Sequence, residues 1–250
     1  MKKIGLALGG GAVLGAAHVG VLKALQEADI KIDYIAGTSI GAFVASFFAF
    51  DKTLEEIQDI ASEMEWMDIS GVSLSRYALL SNQKLGKLIK EHIGTQNLED
   101  STIPVAMIAT NIATGEKVVL KKGAVSEAAM ASTSIPGIFQ PVKINGQLLV
   151  DGGIVENVPI NTVKEMGAEY VIGVDLNAKH SYKEPENIVD VMVNSFHFML
   201  MAASKLQTEE ADLLISPDLS EFNRSNMDQI NDLIEQGYQE AKKALKKLDI

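Results

Sequence analysis

The sequence predicts a three-layer α/β/α fold built on a mostly parallel central sheet. Apolar runs of strand length alternate with longer amphipathic runs along most of the chain, which is typical of strand-helix-strand units. With 250 residues and 47% hydrophobic content, the chain can bury a substantial core. No Pro/Ser-rich linker or fixed-period repeat divides it. We therefore expect residues 1–250 to form one domain.

Composition and charge exclude several classes of function. A formal net charge of −11 and a pI near 4.9 argue against nucleic-acid binding and against electrostatic docking on anionic lipid, because either would need a basic face. The chain has no cysteine, so disulfides, thiolate nucleophiles and cysteine-ligated zinc sites are excluded. The absence of cysteine is compatible with a cytoplasmic protein, and the cytoplasm is the location we predict.

The N-terminal region superficially resembles a signal peptide or a membrane span, because Lys2-Lys3 precedes uncharged residues from Ile4 to Leu22. The run contains six glycines and His18, and it divides into a strand-like half and a helix-like half. We therefore predict neither a signal peptide nor a membrane span.

The first predicted unit is a strand from Lys3 to Leu8, a loop at Gly9-Gly10-Gly11 and a helix from Gly15 to Ala28. Such a loop can cradle a phosphate or supply backbone N–H groups to an oxyanion. A dinucleotide cradle needs G-x-G-x-x-G and an acidic residue at the end of the second strand, and neither is present. The sequence favours the oxyanion interpretation, with close strand-helix packing as the structural alternative.

The second unit is a strand, Tyr34-Ile35-Ala36, then Gly37-Thr38-Ser39-Ile40-Gly41 and a buried helix to Phe50. Two glycines that flank a serine allow a sharp strand-to-helix turn, which holds the hydroxyl over the first helical turn. The unpaired N–H groups and the helix dipole there favour a developing negative charge. Ser39 is therefore a candidate nucleophile, and the alternative is a serine N-cap.

The remaining elements follow from capping, periodicity and turn signals. A capping box at Thr53 to Glu56 opens a helix to about Met64, and the region from Trp66 to Leu80 is a candidate mobile cover. A methionine-rich helix from Ile188 to Leu206 is predicted mainly to fill the core, with an acyl-chain groove as the alternative. We also predict helices at Gln83–Ile93, Val125–Ala131, Asn161–Met166 and Met227–Leu248, strands at Pro104–Thr110, Glu116–Leu120, Tyr170–Asp175 and Leu213–Ile215, and a hairpin turn at Asn145-Gly146.

The second strand of that hairpin, Gln147 to Val150, ends in Asp151-Gly152-Gly153. An aspartate at a strand end followed by two glycines is expected to be held rigidly, with open space beside it for another group. The alternative is an ordinary Asp-Gly turn.

Three features occur in order: the glycine loop, G-T-S-x-G at Ser39 and D-G-G at Asp151. Together with Ala131 to Phe139 and Asn157-Val158-Pro159, they make the chain resemble the patatin-like phospholipases, especially short bacterial members. The resemblance extends to about Asp175. It implies a patatin-like α/β/α fold and a Ser-Asp dyad in place of a triad.

By this resemblance, Ser39 attacks a carboxylic ester of the phospholipase A, lysophospholipase or esterase type while Asp151 takes its proton, and water then attacks the acyl-enzyme. The substrate is a lipid or another ester, any membrane-surface contact is transient, and no metal or cofactor is required. The resemblance assigns the oxyanion hole to the backbone N–H groups of Gly10, Gly11 and Ala12, and supporting roles to Gly9, Gly37, Gly41, Gly152 and Gly153.

Two alternatives stay open in the sequence. Leu14 stands where the family pattern has Arg or Lys, so a positive charge that could bind a phosphate-bearing substrate is missing. This departure is also the one argument for the alternative, a catalytically silent lipid- or protein-binding module. A triad in the chain order Ser, Asp, His would need His180 or His197. The first lies in a predicted polar loop and the second in a predicted core helix.

Overall fold

The strands and helices alternate along most of the chain, as the sequence predicts. A computed structural model describes residues 2–66, 78–179, 184–223 and 227–247. Most of the predicted cover, and His180, lie outside the described residues. The strands are β1 (Ile4–Leu8), β2 (Tyr34–Thr38), β3 (Ala78–Leu80), β4 (Val105–Asn111), β5 (Lys117–Leu120), β6 (Gly137–Phe139), β7 (Val142–Ile144), β8 (Gln147–Asp151), β9 (Tyr170–Val174) and β10 (Leu213–Ile215). The helices are α1 (Ala17–Glu27), α2 (Ile40–Ala49), α3 (Leu54–Trp66), α4 (Gln83–Ile93), α5 (Val125–Ser132), α6 (Ile160–Glu165), α7 (Ile188–Gln207) and α8 (Ile230–Leu245).

The central sheet has a parallel core with antiparallel additions at one side. Strands β10, β9, β1, β2 and β4 lie side by side in that order, and all four pairings between them are parallel. Strand β5 and the β7-β8 hairpin add to β4 in the antiparallel sense. The predicted mostly parallel sheet is confirmed.

Helices cover both faces of this sheet, because successive side chains of each buried strand point to opposite sides. Leu6 and Leu8 of β1 belong to the large core that includes α1, α2 and α8. Ala7, between them, faces a second cluster with Ile160 and Val163 of α6. The three-layer arrangement is therefore confirmed.

Several local predictions are confirmed by hydrogen bonds and backbone angles. In the capping box, the Glu56 N–H donates to Thr53 Oγ1 (3.2 Å) and the Thr53 N–H donates to Glu56 Oε2 (2.8 Å). The hairpin turn has positive φ at both central residues, 49° at Asn145 and 81° at Gly146. These values match the type I′ geometry that suits the twist of a hairpin.

The first helix starts later than predicted. A 3₁₀ helix spans Ala12–Ala16 and α1 begins only at Ala17. A Cβ atom on Gly15 would lie 2.2 Å from Ile40 Cγ1. The tight turn thus packs directly against the start of α2.

Among the described helices none is long and apolar enough to cross a membrane. That the whole chain is one domain stays a prediction.

Helix α7 differs from the core-filling prediction. Phe196 is buried, but Phe198 and Met199 are 52% and 54% exposed. One face of α7 packs over Gly153, whose Cβ position would lie 2.3 Å from Leu200 Cδ2. On the opposite face of α7, the large apolar side chains are more than 40% exposed.

Candidate active site

Strand register brings the ends of β2 and β8 together on β4. Thr38, the last residue of β2, pairs with Ile108, and Asp151, the last residue of β8, pairs with the next residue, Ala109. Strand β5 pairs with both of these β4 residues from the other side. Strands β2 and β8 therefore share one side of β4 and meet end to end, which places Ser39 beside Asp151.

Ser39 occupies a strained corner between β2 and α2. Its backbone has φ 54° and ψ −126°, a conformation that residues with a Cβ rarely adopt. Its N–H donates to Ser132 Oγ (2.9 Å), and its carbonyl accepts from the N–H groups of Ala42 and Phe43. The side chain is 9% exposed. The corner is thus held by hydrogen bonds on both sides of a serine that still reaches solvent-accessible space.

The two elbow glycines sit where backbones approach closely. A Cβ atom on Gly37 would lie 2.4 Å from the carbonyl carbon of Gly41. A Cβ atom on Gly41 would lie 2.2 Å from the carbonyl oxygen of Leu8, at the end of β1. Because such contacts exclude any larger residue, both glycines let α2 start directly against β1 and β2.

Asp151 is fully buried and held by main-chain contacts. Its Oδ1 accepts from the Gly153 N–H (2.8 Å), its own N–H donates to the Ser134 carbonyl (2.8 Å), and its carbonyl accepts from Thr110 Oγ1 (2.9 Å). Its Oδ2 is buried and accepts no hydrogen bond of ordinary geometry from the described residues. One carboxylate oxygen is therefore fixed by a hydrogen bond and the other has none among the described residues.

Burial raises the pKa of Asp151 to about 7, against the opposing effects of the Ser39 hydroxyl and the Gly153 N–H. The hydroxyl is thus near enough to stabilise the carboxylate, although Oδ2 lacks a formed hydrogen bond. Such contacts are often long before substrate binds. A carboxylate with this pKa is a stronger base than an ordinary aspartate, and it is ionised above neutral pH.

The expectation of open space beside Asp151 is wrong. A Cβ atom on Gly152 would lie 2.2 Å from the Ile108 carbonyl oxygen, and one on Gly153 would lie 2.3 Å from Leu200 Cδ2. The two glycines are required because β4 and α7 crowd the segment that carries the carboxylate.

The glycine loop lies beside Ser39, and its N–H groups are not equivalent. The Gly9 N–H donates to the Val174 carbonyl (3.0 Å), and the Gly10 N–H donates to Asn157 Oδ1 (3.2 Å). Within the part of the chain that the structure describes, no acceptor takes the N–H of Gly11 or of Ala12. Of the three donors that the sequence analysis assigns, these two are open in the structure and Gly10 is engaged.

Leu14 follows the glycine loop but does not line the pocket beside Ser39. Its side chain is fully buried in the large core, just after the glycine loop turns into the 3₁₀ helix. The departure from the family pattern at Leu14 therefore falls on a core residue.

An apolar pocket of about 170 Å³ adjoins Ser39 and Ala12. Lys84 is the one charged side chain that the described residues contribute to its lining. Helix α7, the predicted alternative for an acyl groove, contributes no described side chain to this lining. The apolar part of the wall comes mainly from α1 to α4 and from the segment after α5: Val19, Phe43, Val44, Ile57, Ala61, Leu85, Leu88, Ile135 and Phe139.

The described histidines do not form a triad with Asp151. His197 is buried on α7 and His18 is buried behind the glycine loop, whereas His92 pairs with Glu63 at the surface (3.1 Å). The carboxylate oxygens of Asp151 accept no hydrogen bond from any of them. Across the described ranges, no group of three or more His, Asp or Glu side chains could hold a metal ion.

Sequence reasoning missed the roles of Ser132 and Asn157, which hydrogen-bond to the backbone of Ser39 and Gly10. Both lie in segments that support the family resemblance. In the sequence, each of these two positions shows only a polar residue within a short segment that resembles a turn. That signal indicates a site but not the atom that each side chain contacts.

Comparison with known proteins points to one family. A family model described as patatin-like phospholipase matches residues 6–164. An uncharacterised NTE family protein of Mycobacterium tuberculosis is 32% identical over 182 residues, which are 72% of this chain and 50% of that protein. Lysophospholipase NTE1 of Meyerozyma guilliermondii is 30% identical over 197 residues, 76% of this chain and 14% of that protein. The chain thus spans half the length of the first relative and much less of the second.

Among solved structures, VipD from Legionella pneumophila superposes with a TM-score of 0.60. The match covers 98% of this chain and 67% of VipD at 14% sequence identity. At that identity the similarity concerns the fold alone, and it shows that the two chains share their architecture.

Proposed function

The chain belongs to the patatin-like phospholipase family, and on that premise we propose that it is a serine hydrolase of lipid or other carboxylic esters that acts through Ser39 and Asp151. One observation supports this most directly. The ends of β2 and β8 meet on one side of β4, which puts a strained serine beside a buried carboxylate with an uncommitted oxygen. An apolar pocket begins at the same serine.

In the proposed reaction, Ser39 Oγ attacks the ester carbonyl carbon and its proton passes to Asp151 Oδ2. In this proposal the N–H groups of Gly11 and Ala12, which have no acceptor among the described residues, hold the negative charge that develops on the carbonyl oxygen. The intermediate collapses, the C–O bond to the alcohol breaks, and the alcohol takes the proton from Asp151. Water then attacks the acyl-enzyme with Asp151 as base, and the acid and free Ser39 result.

The pocket suggests which part of the substrate enters it. Because its lining is almost wholly apolar, burial of a hydrocarbon chain there is favourable, by about 0.8 kcal/mol per methylene. We therefore assign the pocket to the acyl chain. Similarity to a lysophospholipase supports a monoacyl lipid as the substrate class.

The test is intact mass spectrometry after treatment with a fluorophosphonate, with peptide mapping. We expect one adduct, at Ser39, and loss of ester hydrolysis by the labelled protein. The Ser39→Ala variant should fold, take up no adduct and hydrolyse no ester. Labelling of a different serine, or no labelling of folded protein, contradicts the proposal.

A further inference from the structure

We propose that Asn157 and Asn177 are positioning residues that hold two successive peptide groups of the glycine loop, and that Asn177 thereby aims the Gly11 N–H at the reacting carbonyl. This inference rests on the proposed hydrolase function. Both side chains are buried, with 0% and 1% exposure, although they come from different loops of the fold.

The backbone fixes the orientation of both side-chain amides. A peptide N–H can only donate, so the oxygen of Asn157 must face the Gly10 N–H (3.2 Å). A peptide carbonyl can only accept, so the Nδ2 group of Asn177 must face the Gly10 oxygen (2.8 Å). The two asparagines therefore serve Gly10 with opposite ends of their amides.

The Gly9-Gly10 peptide group is held at both ends. Asn157 Oδ1 accepts from its N–H, and His18 Nε2 donates to its carbonyl oxygen (2.7 Å). Burial lowers the pKa of His18 to about 4, so its ring is neutral at physiological pH and carries its proton on Nε2. Asn157 is itself anchored, because its Nδ2 group donates to Ser204 Oγ of α7 (2.9 Å).

The next peptide group joins Gly10 and Gly11, and only its carbonyl end is held. The described residues contain no cis peptide bond, so the Gly11 N–H points away from the Gly10 carbonyl within the same plane. When Asn177 fixes the carbonyl, it also fixes the direction of this open N–H. The Asn177 backbone N–H in turn donates to Asp175 Oδ1 (2.9 Å), which anchors the asparagine.

The same contacts tie the loop to both reacting groups. A Cβ atom on Gly10 would lie 3.1 Å from Ser39 Cβ and 2.8 Å from Asn157 Oδ1. A Cβ atom on Gly153 would lie 3.4 Å from Asn157 Oδ1 and 3.1 Å from Asp151 Oδ1. Asn157 thus packs between the oxyanion loop and the segment that carries the base.

The two asparagines respond differently to aspartate, which has nearly the same shape. Asn157→Asp keeps an acceptor for the Gly10 N–H, and the Ser204 hydroxyl can turn to donate to the second oxygen. Asn177→Asp replaces a donor with an oxygen that repels the Gly10 carbonyl. Both variants add one buried negative charge, and that of Asn157→Asp lies close to Asp151, where it opposes ionisation of the proposed base. A smaller loss in Asn157→Asp than in Asn177→Asp therefore cannot come from the charge and reports the aiming of the peptide group.

The experiment measures kcat and KM for hydrolysis of a short-chain neutral ester. The kcat value is divided by the fraction of protein that a fluorophosphonate labels at Ser39 in a parallel sample. We expect Asn177→Asp to lower kcat by about 10², the scale of losing one oxyanion donor, at nearly unchanged KM. Asn157→Asp should retain at least tenfold more kcat than Asn177→Asp. Asn145→Asp, in the exposed hairpin turn, adds the same charge far from the site and should leave kcat unchanged.

If Asn177→Asp fails to fold, Asn177→Ala replaces it, with an expected kcat loss of at least tenfold at unchanged KM. Equal losses in the two aspartate variants, or a folded Asn177 variant within threefold of wild type, would overturn the positioning role. Ser39→Ala is measured in parallel. If that variant still hydrolyses the ester, the proposed function itself fails, whatever the asparagine variants show.

Discussion

Asp151→Asn should make the protein more stable and inactive at once. The substitution keeps the size of the side chain and the acceptor for the Gly153 N–H, and it removes the charge. Burial raises the pKa of Asp151 from 3.8 to about 7. Each pKa unit corresponds to 1.36 kcal/mol, so the folded state bears a penalty of about 4 kcal/mol for the ionised carboxylate above pH 7.

The sign of the pH dependence follows from the direction of the shift. The folded-state pKa lies above the unfolded one, so the penalty is absent below about pH 4, grows as pH rises and is complete above about pH 7. The advantage of Asp151→Asn over wild type should therefore increase by roughly 3 kcal/mol between pH 5 and pH 8. The new buried NH₂ group subtracts about 1–3 kcal/mol unless the Ser39 oxygen accepts from it.

Urea denaturation of both proteins at the two pH values measures this difference. Hydrolysis of a neutral short-chain ester by Asp151→Asn should fall by at least ~10². Wild-type kcat/KM should rise with pH through about 7, as the base ionises. Ser39→Ala is the matched control, because it removes activity but keeps the buried carboxylate. At pH 8 it should therefore not gain stability over wild type, as Asp151→Asn does. If the stability difference between Asp151→Asn and wild type does not change with pH, Asp151 does not ionise with a raised pKa. If Asp151→Asn remains active, Asp151 is not the base.

Three further predictions test the triad alternative, the pocket and the core position of Leu14. His180→Ala and His197→Gln should each keep ester hydrolysis within about tenfold, because a true triad member costs about 10³ or more; a folded variant with that loss would restore the triad. Ala61→Phe narrows the pocket and should lower turnover of long-chain esters at least tenfold relative to short-chain ones, whereas Ala202→Phe, on the exposed face of α7, should not alter this ratio. Leu14→Arg should lower unfolding free energy in urea by about 3 kcal/mol or more, because it buries an unpaired charge; unchanged stability with faster lysophospholipid turnover would contradict the core assignment.

The sequence was sufficient for features that depend on neighbouring residues. The positive φ of Ser39 between Gly37 and Gly41, the I′ turn and the capping box all follow from local steric and hydrogen-bonding preferences. Alternation of strands and helices likewise predicts a parallel sheet between helical layers. These features are local or periodic, so a single chain is enough to recognise them.

Features that depend on distant packing could not be predicted. The meeting of Ser39 with Asp151 requires that β8 join β4 on the side that β2 occupies, which is a property of long-range register. The inward direction of Leu14 depends on a 3₁₀ turn that periodicity does not distinguish from the start of α1. The half-exposed position of Phe198 depends on how α7 docks on the rest of the fold.

The site combines two features that oppose folding, and their coincidence argues for function. The backbone of Ser39 lies in a region that costs about 1–3 kcal/mol for a residue with a Cβ, and the Asp151 charge costs about 4 kcal/mol above pH 7. Glycine at the first position would relieve the backbone strain, and asparagine at the second would remove the buried charge. Strained or destabilising groups of this kind are typical of sites where activity opposes stability. Because the strained hydroxyl and the buried carboxylate lie beside each other, their coincidence supports the proposed hydrolase chemistry, which needs both.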